Sequence, residues 1–232
     1  NDNAQISALT TGPVRLGAND GANGVIIMNG AGSGVNANGN IDVASVAGRV
    51  STALFDQNNG TVYVSGGLNV GNADVGNAAT YNLDGGLLTI GRNLDYRNNG
   101  SDTFNLNGGS LVFTNGSGTI YASRPGVNAF NFSAGVLSNC GRFEGSLDHQ
   151  GGILDIGASV GLMTVTGDYT GSSNSTLKLE IDWDPSSGAA QPGVDFDQLV
   201  VHGNTDLSSL NLDVSVLNPA ISNAVVGTVF TV

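Results

Sequence analysis

Five times between Val62 and Ile156 the chain writes nearly the same phrase: apolar residues spaced by two, a glycine pair, then apolar residues spaced by two again. The first copy runs from Val62 and Val64 through Gly66 and Gly67 to Leu68 and Val70. The second runs from Tyr81 and Leu83 through Gly85 and Gly86 to Leu88 and Ile90, and the third from Phe104 and Leu106 through Gly108 and Gly109 to Leu111 and Phe113. Two weaker copies follow, around Ala134-Gly135 and around Gly151-Gly152. The second glycine of the phrase, or its equivalent, is Gly67, Gly86, Gly109, Gly135 and Gly152 in turn. A period of roughly 20 residues built from short strands is a solenoid signature.

The phrase has a physical reading. Alternation makes one side of each strand apolar, and the glycines admit the backbone angles of a sharp turn. One such unit cannot bury its apolar face alone, but a stack of them buries a continuous interior. Helical spacing is absent, and Gly and Asn are poor helix formers. The expected fold is therefore all-β, a right-handed parallel β-helix (β-solenoid) with an irregular N-terminal cap. An antiparallel β-sandwich also uses short alternating strands and is the alternative. Seven inward residues follow from the alternation: Leu83, Leu88, Leu106, Leu111, Phe132, Leu137 and Leu154.

Composition agrees with order in an unusual wrapping. Of 232 residues 36 are Gly and 28 Asn, and only 11% are charged, against about 25% in ordinary globular domains. Asn suits turns, and in stacked coils it can form ladders along the axis. The net charge is −12, from 19 acidic residues against one Lys and six Arg. These cations are scattered, which argues against nucleic-acid binding and against an anionic membrane surface. No run reaches the roughly 18 apolar residues of a membrane span, so no membrane insertion is expected. Cys140 stands alone, which excludes an internal disulfide or a Cys-based metal site, and its setting suits a buried thiol. The chain opens on Asn1 rather than Met, which fits a processed or trimmed start, with the targeting segment expected outside the given sequence.

Three regions are expected. Residues 1–60 are irregular N-terminal coils. Residues 61–160 form the repeat block, with a turn at Arg124-Pro125-Gly126 projecting between copies. Residues 161–232 form a C-terminal β-helix module with longer strands, among them Thr176 to Trp183 and Leu210 to Val216. The last strand, Gly227, Thr228, Val229, Phe230, Thr231 and Val232, is apolar, strongly β-prone and unguarded by Pro, Lys or Glu. It ends the sequence without a cap, so the natural protein is expected to continue or to pair there with a second copy.

The run from Gly161 through Gly167-Asp168-Tyr169, then Leu177 to Ile181, then Asp195-Phe196-Asp197-Gln198-Leu199-Val200-Val201-His202-Gly203 is similar to a bacterial surface module. It resembles the C-terminal part of autotransporter-type passengers and of PEP-CTERM-anchored extracellular proteins, whose strand repeats the central block also resembles. The resemblance implies a right-handed parallel β-helix, export, and a place at or outside the cell surface.

Candidate sites are few. Glu180, Asp182, Asp184, Asp195 and Asp197 are the densest acidic group. Spacing by two puts Glu180 with Asp182, and Asp195 with Asp197, on shared strand faces. Two such pairs could bind Ca²⁺ or serve as the acid and base of a glycosidase; the plain alternative is a solvated strand face and loop-flanking turns. No other cofactor is implied. His149 and His202 lack the spacing of a zinc site and suit structural roles. Lys178 is an ordinary strand lysine. Trp183 and the five tyrosines could stack on sugar rings, although large rings in alternating strands are more often core. No nucleophile elbow, phosphate loop or dinucleotide fingerprint occurs.

The expected function is structural and non-enzymatic: a surface layer, matrix, fibre or adhesin stalk, a homo-oligomer or filament in contact with surface polysaccharide. The alternatives are a polysaccharide-acting β-helix enzyme and a carbohydrate- or calcium-binding module such as a phage spike.

Overall fold

The computed structural model describes residues 4–8, 12–71, 76–96, 101–122, 127–224, 228, 229 and 231. Its regular structure is β-strand throughout, apart from two 3-10 turns at Pro185–Ser187 and Pro219–Asn223. The strands wind into a parallel solenoid with three walls. The first wall stacks Asn23–Met28, Thr52–Gln57, Ala78–Leu83, the leading halves of Ser101–Phe113 and Val127–Ser138, then Leu147–His149, Tyr169–Gly171 and Thr205–Asp206. The second stacks Gln5–Ala8, Gly34–Ala37, Thr61–Val64, Leu87–Ile90, the trailing halves of the same two long strands, Gly152–Asp155, Ser175–Ile181 and Asn211–Val216. The third runs from Val14–Leu16 through Ile41–Val43, Leu68–Val70, Leu94–Tyr96, Gly118–Tyr121, Cys140–Glu144 and Leu162–Val165 to Gln198–Val201. Every strand pair is parallel, and the one antiparallel contact among the described residues is a single bridge between Ile181 and Phe196. The sandwich alternative is thereby excluded. No helix among the described residues is long and apolar enough to cross a membrane.

Alternation explains the interior. In Ser101–Phe113 the buried positions include Phe104, Leu106, Leu111 and Phe113. Register then stacks like on like. Val35, Val62, Leu88, Leu111, Leu137, Leu154 and Leu177 form one inward row on the second wall. All seven leucines and phenylalanines expected inside are fully buried. On the first wall Phe55, Tyr81, Phe104 and Phe130 stack face to face, with centroids 4.6, 5.2 and 5.6 Å apart. Each such pair adds about 0.5–1.5 kcal/mol to its burial.

The corner between the first and second walls is a column of glycines. Gly60, Gly86, Gly135 and Gly152 hold φ of 83, 75, 82 and 85°, a region side chains rarely adopt. A Cβ at Gly86, Gly135 or Gly152 would also strike the backbone of the glycine stacked before it. This column corrects the first repeat copy. Val62 and Val64 lie on the second wall and Leu68 and Val70 on the third, so Gly66-Gly67 occupies a different corner from Gly85-Gly86. The true equivalent of Gly86 is Gly60, so this coil is longer than the spacing from Gly67 to Gly86 implies. The coil also starts earlier than the phrase implies: Asn23–Met28 and Gly34–Ala37 already pair within the same walls as the repeat block. In the coils of Gly108-Gly109 and Gly135 the strand bends through the glycines instead of breaking.

Outside, the amides form a ladder. Asn131 donates to Asn105 at 2.6 Å, Asn105 to Asn82 at 2.7 Å, and Asn82 to Asp56 at 3.3 Å. Beside it, Ser133 donates to Asn107 and Asn107 to Asp84. The carboxylates of Asp56 and Asp84 are acceptors only, so each ladder terminates on an acid at its N-terminal end.

Towards the C-terminus the coil carries side excursions. After Ser175–Ile181 the chain leaves the wall, turns at Asp184-Pro185, and returns at Gln198. After Asn211–Val216 it leaves again at Asn218-Pro219. Asp184 and Asn218 have nearly the same backbone angles (φ −103 and −102°, ψ 114° in both), and each caps its 3-10 turn by accepting from the N–H two residues on. The two turns pack together.

Candidate functional site

The five acids singled out from sequence do not converge. Glu180 lies outward beside Lys178 on the second wall, but the strand ends at Ile181, so Asp182 shares no strand face with it and stands in solvent. Asp184 caps the 3-10 turn, and hydrogen bonds from Ser186 hold its carboxyl below the usual carboxylate range. Asp195 and Asp197 also fail to share a strand face, because they belong to the return of the excursion. There Asp195 accepts from the Gln191 N–H at 2.8 Å, while Asp197 turns into the coil. Among the described residues no group of three or more carboxylate, His or Cys side chains is arranged to hold a metal ion.

Asp197 does something more specific. It is fully buried, and its two oxygens accept from the N–H groups of Gly161 and Glu180, each at 2.6 Å. One carboxyl thus ties three pieces together: the excursion, the second-wall strand, and the segment entering the third wall. Burial pushes its carboxyl up to about 6, against the two N–H bonds and with Glu180 and Asp155 adding negative charge. Nearby, Lys178 reaches Glu180 at 2.8 Å and Asp155 at 3.3 Å. Asp155 and Lys178 sit directly opposite on neighbouring strands, and Ser138 donates to the other oxygen of Asp155 at 3.4 Å. The hydrogen bond to Glu180 raises the Lys178 ammonium, so it stays charged, whereas burial raises Asp155. Three carboxylates and one ammonium therefore brace the root of the excursion. Asp155 carries no signal in the sequence, because its partner Lys178 is remote along the chain and only the coil register joins them.

Beside this brace lies a groove of about 530 Å³ along the corner between the second and third walls. Asn115 and Asn139 line one side, Ser117, Thr119 and Arg142 the third-wall side, and Gly161, Leu162 and Gly193 the end nearest the excursion. Asn139 holds a positive φ of 58° and donates to the Phe113 carbonyl at 2.6 Å, which fixes its amide. Arg142 binds Glu144 through Nε at 3.0 Å.

The remaining candidates are structural. His149 is buried, stacked on Phe132 at 4.3 Å, with Nε2 3.1 Å from the Gly152 carbonyl and Nδ1 3.0 Å from the Tyr169 hydroxyl. A carbonyl only accepts, so Nε2 carries the proton and Nδ1 accepts from Tyr169. Burial pulls the imidazole down to about 4. The same device occurs earlier: Gln57 donates to the Gly60 carbonyl at 3.3 Å and accepts from the Tyr81 hydroxyl at 2.7 Å. His202 directly follows the last third-wall strand and is exposed. Tyr81, Tyr96 and Tyr169 are fully buried and Trp183 nearly so, so they present no sugar platform. Cys140 is buried, and burial pushes its thiol up to about 12. Asp102 has no signature in the sequence. It is buried at the corner between the third and first walls, accepts from the Ala79 N–H at 3.1 Å, and is pushed up to about 6 by burial. The projecting turn at Arg124-Pro125-Gly126 lies outside the described residues, as do Gly227, Phe230 and Val232. Thr228, Val229 and Thr231 are described and are not in a strand; the Gln198 amide donates to the Thr231 carbonyl at 3.1 Å.

The fold and this groove define a three-walled parallel β-solenoid with a braced side excursion. In comparisons with known proteins, no family model, no curated protein and no solved structure matches the chain.

Proposed function

We propose that this chain is a non-enzymatic structural protein of the bacterial cell surface or extracellular matrix, a stalk or fibre that stacks on copies of itself and meets surface polysaccharide. The observation that carries the reading is the last coil. Leu212 continues the inward row of Leu154 and Leu177, and Val214 that of Leu179, yet Leu212 is 59% and Val214 48% exposed. Val216 and Leu207 are open beside them. After Val216 the chain turns to the side, where Pro219–Asn223 packs on Pro185–Ser187. Among the described residues none covers this end.

Covering such half-open side chains is worth roughly 1 kcal/mol each, about half the value of full burial. The first second-wall strand, Gln5–Ala8, presents the matching surface, since Ile6 begins the row that Leu212 ends, and is itself open. Contact of two unlike ends does not close, and so it propagates. This joint differs from the one expected at residues 227–232: its apolar rows lie on Asn211–Val216. The non-enzymatic part rests on the candidate acids: Glu180, Asp184, Asp195 and Asp197 are each committed to a brace, a cap or a backbone tie, and Asp182 stands in solvent apart from them.

Sedimentation and electron microscopy of the wild type and of a Leu212→Glu, Val214→Glu double variant test the reading. Concentration-dependent rods in the wild type and monomers in the variant are expected. A wild type that stays monomeric at high concentration removes the assembly, and polysaccharide turnover that disappears in Asp197→Asn removes the non-enzymatic assignment.

A further inference from the structure

We infer that the groove between the second and third walls is a preformed binding site for a neutral, hydroxyl-rich glycan chain. The inference rests on the polysaccharide partner proposed above and gives it a place and a chemistry.

The lining has donor and acceptor capacity left over. Arg142 spends only Nε on Glu144; its two terminal amino groups make no hydrogen bond among the described residues, nor do the hydroxyls of Ser117 and Thr119. Thr119 and Arg142 are neighbours in register on the outer face of the third wall. The groove thus offers amide and hydroxyl groups that both donate and accept, beside a guanidinium that donates, which suits vicinal hydroxyls. Leu162, 43% exposed at the end nearest the excursion, gives the apolar face of a sugar ring something to rest on. A volume of about 530 Å³ lies within the usual range of ligand sites, roughly 300–1,000 Å³. The lining spans three successive coils, from Asn115 to Leu162, with Gly193 of the excursion beyond them, hence two steps of about 4.8 Å or roughly 10 Å along the walls. That is long enough for more than one ring.

Charge selects a neutral chain. Arg142 is already matched by Glu144, and Asp155, Glu180 and Asp197 cluster behind the groove with Lys178 alone against them. A polyanion would meet uncompensated negative charge there, on a protein of net charge −12.

The site is also preorganised, and this gives the buried Asp197 a reason. Gly161 and Gly193 line the groove, one on the coil and one on the excursion. Asp197 ties the Gly161 N–H to the excursion, so wall and floor are fixed before anything binds. Fixing a site beforehand removes ordering cost from association. Asp197 is a positioning residue in this scheme; Arg142 and Ser117 touch the ligand.

Calorimetric titration with manno-, cello-, xylo- and chito-oligosaccharides, and with polygalacturonate as the anionic comparison, tests it on the full chain. At least one neutral oligosaccharide should bind, at least tenfold more weakly to Arg142→Ala and unchanged to Tyr63→Ala, a variant on the exposed face of the second wall. Asp197→Asn should weaken binding while the far-ultraviolet spectrum of the coil is kept. No binding by any neutral oligosaccharide at millimolar concentration, equal binding by Arg142→Ala, or binding of polygalacturonate alone overturns the inference. Rods without glycan binding sink this inference only; glycan binding by a strict monomer sinks the assembly only.

Discussion

Replacing His149 by Gln should leave the protein nearly as stable at neutral pH and more stable than the wild type in mild acid. The protein itself supplies the design, because Gln57 already makes the same two contacts, to a carbonyl three residues on and to a tyrosine of the next coil. At pH 7 the variant loses the ring stacking on Phe132, worth about 0.5–1.5 kcal/mol. The gain comes from protons. An unfolded histidine titrates near 6.5, and this one is pulled down to about 4 by burial. The unfolded chain therefore takes up a proton that the folded chain refuses. Stability from His149 is fully present above pH 6.5 and is lost as pH falls towards 4. The loss is about 2 kcal/mol at pH 5 and about 3 kcal/mol at pH 4. Asp102 and Asp197 act in the opposite sense: both are raised to about 6, so they favour the folded state as pH falls from 6 towards 4. The wild-type curve alone is thus a sum of opposing slopes, and only the difference between variant and wild type isolates the imidazole. Urea unfolding at pH 7, 6, 5 and 4.5 should show the two stabilities crossing between pH 6 and 5. Parallel curves would refute the reasoning, and so would a variant several kcal/mol weaker at pH 7.

Phe104→Ala removes the middle of the aromatic stack and should cost about 3–5 kcal/mol in urea unfolding. On the outer ladder, Asn105→Asp turns the donor facing Asn82 into an acceptor; it should destabilise by more than Asn105→Ala above pH 5, and a charge-independent ranking in thermal melts would contradict the ladder. Cys140 should resist thiol reagents in the native protein at pH 8 and react fully in denaturant, since its thiol is buried and pushed up to about 12.

The coil is legible in the sequence because its grammar is local. Alternation and a glycine pair suffice to place Leu83, Leu106 and Leu111 inside, and the abundance of Asn announces an external ladder. The number of walls is not legible, because a turn between the first and second walls looks in sequence like one between the second and third. That is why Gly66-Gly67 reads as the same corner as Gly85-Gly86, while Gly60, preceded by two asparagines, passes for an ordinary turn. The equivalence of His149 and Gln57 is hidden because the two share a hydrogen-bonding pattern but no chemical resemblance. Spacing by two misleads at Asp195 and Asp197 because it implies a shared face only while the chain stays extended, and there the backbone folds around Gln191. The groove has no sequence signature at all: Asn115, Arg142 and Gly193 meet only through the stacking of coils.

The walls carry a mechanical consequence. Their backbone hydrogen bonds run along the long axis, from each strand to the next. Tension applied between the two ends therefore loads the coils in series, and the load parts one row of bonds at a time instead of shearing a whole sheet at once. Each coil that lets go, such as the one from Gly60 to Gly86, releases roughly 90 Å of slack chain. A solenoid of this construction yields in repeated steps, coil by coil, and lengthens many times over before it parts.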